Sequence, residues 1–376
     1  MQRNRFRRTR QLAAAASVSF LLALTGCGAF FQCEGKSDCG TGTTTSSSGN
    51  YVYVSNSASG STYLDGFQIT GGSLVTATGF PASVGFTPVA LAVTPSDAYL
   101  YAASATAIYG YSIGTGGAIT VLNSGNAMEA ENVAAIAISP DGKWLFSLNS
   151  NDLTLEEYSI GSTGLLSYEI NYQLTNPGSA TLISSSVMVA PTGNYIAVGL
   201  GTAGFETFSF NTSTGAAAAA ATVNALSTTS GDFAVQIDSS NNLYIGSTND
   251  LLQYSVTSAG VPTFVSQSAT GTGPYSVALD GTSYIFTGSE NASSTAILSA
   301  FNAGTTNPLS GASYIAPTTV AALGVDKTAG YLVAAGYNAS SGIQLFTIGS
   351  TGLLVSVGSV GTGTVTTVPT VMALTH

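Results

Sequence analysis

Residues 137–149 read AISPDGKWLFSLN: an apolar run, a polar turn and a second apolar run. The same order returns in LAVTPSDAYLYAAS (91–104), VMVAPTGNYIAVGL (187–200), VQIDSSNNLYIGST (235–248), VALDGTSYIFTGS (277–289) and LGVDKTAGYLVAAG (323–336). The second runs begin at Tyr99, Trp144, Tyr195, Leu243, Tyr284 and Tyr331, with a matching start at Tyr51 in YVYVSN, so successive spacings are 48, 45, 51, 48, 41 and 47 residues. A period in this range marks an array in which one supersecondary unit buries its face against the next. Each unit continues with a third run such as AIYGYSI, TLEEYSI, LLQYSV or GIQLFTI, then a Gly-rich turn such as GTGGA or GSTGL, then a weaker fourth run.

Four short strands in each of seven units predict an all-β, seven-bladed β-propeller with four-stranded blades. The two ends support closure. The first unit lacks its opening strand, and TVMALTH (370–376) supplies one at the other end of the sequence. A C-terminal strand completing the N-terminal blade closes the ring and leaves no open blade to template aggregation. Residues 215–223, GAAAAAATV, have helical propensity, but their phase in the repeat makes them an outer strand. A membrane-spanning β-barrel is disfavoured, because its strands are longer and joined as simple hairpins.

AISPDGKWLFSLN, with the LEEYSI and GLL segments that follow it, resembles the repeat of the lactonase-type seven-bladed propellers, a family that includes 6-phosphogluconolactonase-like and muconate-cycloisomerase-like proteins. YVYVSN is similar to the YVTN repeats of bacterial surface propellers. The resemblance covers residues 51–376. It implies the fold, and it implies ring opening of a small lactone by Arg and His groups around the channel. The sequence departs from that pattern: no Arg follows Arg10, and the one His is His376. No catalytic residue is therefore carried over. Hydrolysis of an unphosphorylated lactone would have to rest on a carboxylate acting as general base toward water.

The first 26 residues read as a secretion signal, with Arg3, Arg5, Arg7, Arg8 and Arg10 ahead of a short apolar run. LTGC (24–27) resembles a bacterial lipobox, which implies cleavage before Cys27 and lipidation of it. Gly28 at the next position favours the outer over the inner membrane. Residues 27–50 form a tether, in which Cys33 and Cys39 could form a small local disulfide in an oxidising compartment or stay as separate thiols. The propeller region, 51–376, has no cysteine and is held by packing alone.

Charged residues are only 7% of the chain, against about 25% in ordinary soluble domains. From Cys27 onward three lysines face 18 acidic residues, a net charge of −15. That balance excludes nucleic acid, which needs many cationic contacts to phosphate, and argues against phosphorylated substrates. Lys143 and Lys327 fall in the turns after the inner strands, on what is here called the lower face.

Loops of the upper face gather an acidic, amide-rich rim. Those leading into inner strands contain Glu129 and Glu131, Asp232 and Tyr275. Those between second and third strands contain Asn56, Asn149 and Asp152, Asn249 and Asp250, Glu290, and Tyr337 and Asn338. Such a rim suits a neutral polyhydroxy ligand, an envelope protein or, more weakly, a divalent cation such as calcium held by oxygen ligands. No calcium-loop motif is present, a zinc site lacks ligands, and no other cofactor is implied. The expectation is a monomer at the cell envelope that binds a ligand or partner.

Overall fold

The computed structural model describes residues 49–58, 61–129, 132–175, 186–226, 231–270, 272–281, 283–290, 296–315, 320–336, 342–361 and 371–376. The segments carrying Cys27, Cys33 and Cys39 lie outside the described residues.

Seven antiparallel sheets form seven blades. From inner to outer strand, blade 1 is Met372–Leu374, Tyr51–Ala58, Ser61–Thr70 and Ser73–Thr76. Blade 2 is Ala90–Val93, Tyr99–Ser104, Ala107–Ile113 and Ile119–Val121; blade 3 is Val133–Ile138, Trp144–Asn149, Thr154–Ile160 and Leu166–Gln173. Blade 4 is Ser186–Val189, Tyr195–Gly199, Phe205–Phe210 and Ala217–Val223; blade 5 is Asp232–Ile237, Asn242–Ser247, Asp250–Val256 and Pro262–Ala269. Blade 6 is Thr272–Leu279, Tyr284–Glu290, Ala296–Asn302 and Pro308–Ile315; blade 7 is Val320–Val325, Tyr331–Gly336, Ile343–Ile348 and Leu354–Val360. Six of the seven expected second-strand starts are met, and the seventh begins one residue early, at Asn242. The alanine run is a strand.

Each inner strand touches the next, from blade 1 to blade 7 and back to blade 1. The ring closes as the repeat arithmetic requires, with Val52, Tyr53 and Val54 opposite Leu374, Ala373 and Met372.

The core is divided among the seams between blades. Buried apolar residues fall into seven clusters, each joining two neighbours: Tyr51, Tyr53 and Leu64 with Leu100 and Ala102 between blades 1 and 2, for example. The first and last blades are joined by Val52, Val54 and Phe67 packed on Val333, Ile343 and Leu345. Second strands serve two seams at once. Alternate side chains of a strand face opposite ways, so Tyr99, Tyr101 and Ala103 face blade 3 while Leu100 and Ala102 face blade 1. Burial on both faces explains why these runs are apolar throughout rather than alternating.

In blades 1, 2, 3 and 6 a second-strand aromatic also fastens the blade to a turn of the next. Tyr53 donates to the Gly117 carbonyl at 2.9 Å, Tyr101 to Gly164 at 2.8 Å, Trp144 to Thr212 at 2.7 Å and Tyr284 to Ser350 at 2.9 Å. Each acceptor lies in the turn between the third and outer strands of the following blade. Gly164 shows why that turn is glycine-rich: its φ is +77°, and an added Cβ would lie 2.6 Å from the Tyr99 ring.

Candidate functional site

The turn after each inner strand fixes the lower face. In blade 3, Ser139 N–H donates to the Trp144 carbonyl and Gly142 N–H to that of Ser139, while Asp141 Oδ1 accepts from Ser139 Oγ at 2.6 Å and from Lys143 N. Gly142 has φ +71°. Asp141 and Gly142 are thus turn formers. Lys143 is ion-paired with Asp141 at 3.3 Å, and Lys327 approaches Asp97 at 3.8 Å and donates to the Gly49 carbonyl. His376, exposed at the same face, donates its backbone N–H to Asp97 and places Nε2 3.1 Å from the Val93 carbonyl.

On the upper face the rim candidates fall into two groups. The first spans blades 2 and 3. Asn149, 3% exposed, ends its strand and uses its side chain internally. Its Oδ1 accepts from the backbone of Asn151 and Asp152, and its Nδ2 donates to Glu156 Oε1 at 3.0 Å and, more weakly, to Asp152 Oδ2 at 3.4 Å. Thr154 and Tyr158 donate to the Glu156 carboxylate as well. Glu129 joins this group from a one-residue bridge to Ile108. Its carboxyl is raised above the ordinary glutamate range, first by burial and then by the Glu156 charge.

Blade 1 repeats the device: Asn56 Nδ2 donates to Asp65 Oδ2 at 2.6 Å from the corresponding positions. An amide at the end of the second strand locking an acid on the third is therefore a hairpin fastening. Two other rim candidates, Asp152 and Asn249, are exposed.

The second group belongs to blade 5. Asp232 was expected in an exposed loop, but it is the first residue of the inner strand and only 1% exposed. Its backbone makes a two-way bridge with Gly201 of blade 4 at 3.0 and 2.9 Å, which draws the side chain into the seam. Oδ1 has no hydrogen-bond partner, nor does the buried Ser247 hydroxyl. Burial pushes the Asp232 carboxyl up to about 6, and the nearby Ser247 hydroxyl opposes this only in part. Ser247 pairs with Asp232 on one side and with Asp250 on the other. Asp250 is half-buried and its carboxyl is also raised by burial.

Tyr275 and Glu290, expected in loops, lie on the strands Thr272–Leu279 and Tyr284–Glu290; their side chains are outside the description. Glu131, Tyr337 and Asn338 fall outside the described residues. Acids on the third strands were not among the sequence candidates: Asp65, Glu157 and Glu206 are buried and Glu156 is half-buried. Glu156 and Glu157 are adjacent in TLEEYSI, so strand alternation sends them to opposite faces; Glu157 accepts from Tyr172 at 2.8 Å. Glu206, 1% exposed, accepts from Thr175 N–H and Thr222. Acids in the middle of otherwise apolar third strands were the available sign.

Among the described residues, no group of three or more His, Cys, Asp or Glu side chains is placed to hold a metal ion. No described helix is long and apolar enough to cross a membrane.

These seven closed blades give the chain the fold of the lactonase-type propellers. No family model and no curated protein matches the sequence. Among solved structures, a Bacteroides uniformis protein provisionally named a 6-phosphogluconolactonase is similar, with a TM-score of 0.67 and 15% identity over 86% of this chain and 99% of that one. The periplasmic gluconolactonase PpgL of Pseudomonas aeruginosa is similar at a TM-score of 0.64 and 12% identity, over 87% and 99% of the two chains. At such identities the likeness is one of fold.

Proposed function

We propose that this protein is a binding or scaffold module of the bacterial cell envelope, lipid-anchored through Cys27, that presents its acidic upper face to a neutral ligand or a partner protein. The observation that carries the reading is the use of the rim's polar groups. Asn149, Glu156 and Asp65 fasten hairpins, and Asp232 sits in a seam. The propeller region, 51–376, has no Arg, and His376 is on the opposite face. Acid–base catalysis needs a titrating group within reach of the substrate proton, and among the described residues Asn149, Glu156, Asp65 and Asp232 are taken up by the scaffold. The periplasmic gluconolactonase among the similar structures supports an extracytoplasmic site.

One observation favours a second reading, hydrolysis of a small unphosphorylated lactone. Glu129 and Glu156 are close enough for one charge to hold the other carboxyl protonated more readily, and such separated pairs can divide acid and base roles. The full chain carrying Cys27→Ser, which removes the lipid attachment point, is assayed on a panel of unphosphorylated lactones with and without EDTA. No turnover above background is expected. Turnover abolished by Glu129→Gln, Glu131→Gln, Asp232→Asn or Asp250→Asn would replace the binding reading by the hydrolytic one, and loss with EDTA would implicate a cation. Membrane sedimentation of the wild type, and its loss in Cys27→Ser, tests the anchor.

A further inference from the structure

The lower end of the channel holds a cavity of about 500 Å³. Inner strands of blades 1 to 5 line it, with Ala92, Ala137, Met188, Gln236 and Leu374 among the contributors. Alanines at two of these positions leave room that larger residues would fill. Pro95, Pro140 and Pro191, one from each of three successive turns, form part of the wall. Proline contributes ring carbons and no N–H, so this stretch of wall is apolar and rigid. The lining has only two polar side chains, Gln236 and His376.

Charge around the cavity narrows what it would accept. No lining side chain is a carboxylate or an ammonium group. The lower turns bear Asp97, Asp141, Asp238, Asp280 and Asp326 against Lys143 and Lys327, and each lysine already faces an acid. The acids in turn accept bonds from their own turns: Asp238 from Ser240, Asn242 and Tyr244, and Asp280 from Ser283 and Tyr284. An anionic head would meet net negative turns and no unpaired cation; an ammonium inside would lack a partner in the wall, and burying an unpaired charge is strongly unfavourable. A primary amide such as Gln236 both donates and accepts and suits a neutral head.

We infer that this cavity is a binding site for a neutral amphiphile, a hydrocarbon body with one hydroxyl or carbonyl group held near Gln236 and His376. The site is at the opposite end of the molecule from the acidic rim, and its occupation does not depend on what the rim binds. Apolar pockets of this size with few convergent polar groups are the usual form of small-molecule sites.

The test uses 1-alkanols as probes on the full chain with Cys27→Ser, so that no attached acyl chain competes. Titration calorimetry is paired with the fluorescence of Trp144, the one tryptophan, which directly follows the turn containing Pro140. Saturable one-to-one binding of 1-octanol is expected, with affinity rising about three- to fourfold per methylene from 1-butanol. Octanoate and octylamine should bind at least about tenfold more weakly. Ala92→Leu, which fills the cavity, should abolish the gain beyond short chains; Met188→Ala, which enlarges it, should move the optimum to longer alcohols. If Ala92→Leu does not fold, Met188→Ala carries the test. Absence of saturable octanol binding, equal binding of the charged analogues, or an unchanged chain-length profile in the variants that fold would each overturn the assignment.

Discussion

Replacing Asp232 by Asn isolates a single titration in the seam between blades 4 and 5. The Asp232 carboxyl is 1% exposed and shifted from 3.8 to about 6, chiefly by burial. Folding therefore favours its neutral form. The associated stability is present in full below the unfolded value and is lost as pH rises through the folded one. A shift of roughly two units corresponds to about 3 kcal/mol at high pH. Part of this is already lost at pH 4, so the change between pH 4 and pH 8 is about 2–3 kcal/mol. The variant lacks this term. Any fixed cost of placing an amide there is the same at both pH values and cancels, as do the other raised carboxyls, which both proteins share. Urea unfolding of wild type and Asp232→Asn at pH 4 and pH 8 should show the variant gaining on the wild type by about 2–3 kcal/mol at the higher pH. A constant difference at the two pH values, or a gain in the acid, would show that Asp232 is ionised and compensated in the fold, and the account of the seam would fall.

Two further predictions concern the scaffold. Gly164→Ala places a Cβ at φ +77° and 2.6 Å from the Tyr99 ring; left-handed strain and overpacking together should lower stability by about 2–4 kcal/mol, measured by chemical denaturation. Deleting residues 371–376 removes the inner strand of blade 1 and the Asp97 bond to His376; broadened, multiphase unfolding is expected, and a single sharp transition at the wild-type midpoint would contradict the closure described.

The fold was readable because its unit repeats. A seam needs an apolar second strand buried on both faces, followed by a turn, and these demands recur seven times, so each copy corrects errors in the others. Even the alanine run was placed by its phase against its propensity. The site had no such redundancy. Asp232 sits beside loop-like residues, STTSG, and its pairings with Ser247 and Gly201 take it into the sheet. Adjacent Glu156 and Glu157 differ by one residue and point to opposite faces, a distinction that hydrophobic pattern does not encode. The cavity is a property of five strands converging on the axis, and no single repeat displays it.

The pairing of Val52 with Leu374 has a consequence in time. Ribosomes add about 5–20 residues per second, so the second strand of blade 1 exists for roughly 15–60 s before its inner partner is made. Through that interval the half-built ring presents an unpaired strand edge and the bare apolar faces of its two ends. A chain routed across a membrane while still incomplete would avoid that exposure in the cytosol, but would meet it again on the far side. Prompt completion of the last few residues, or a chaperone that masks the open seam, then decides how much of the protein reaches the closed state.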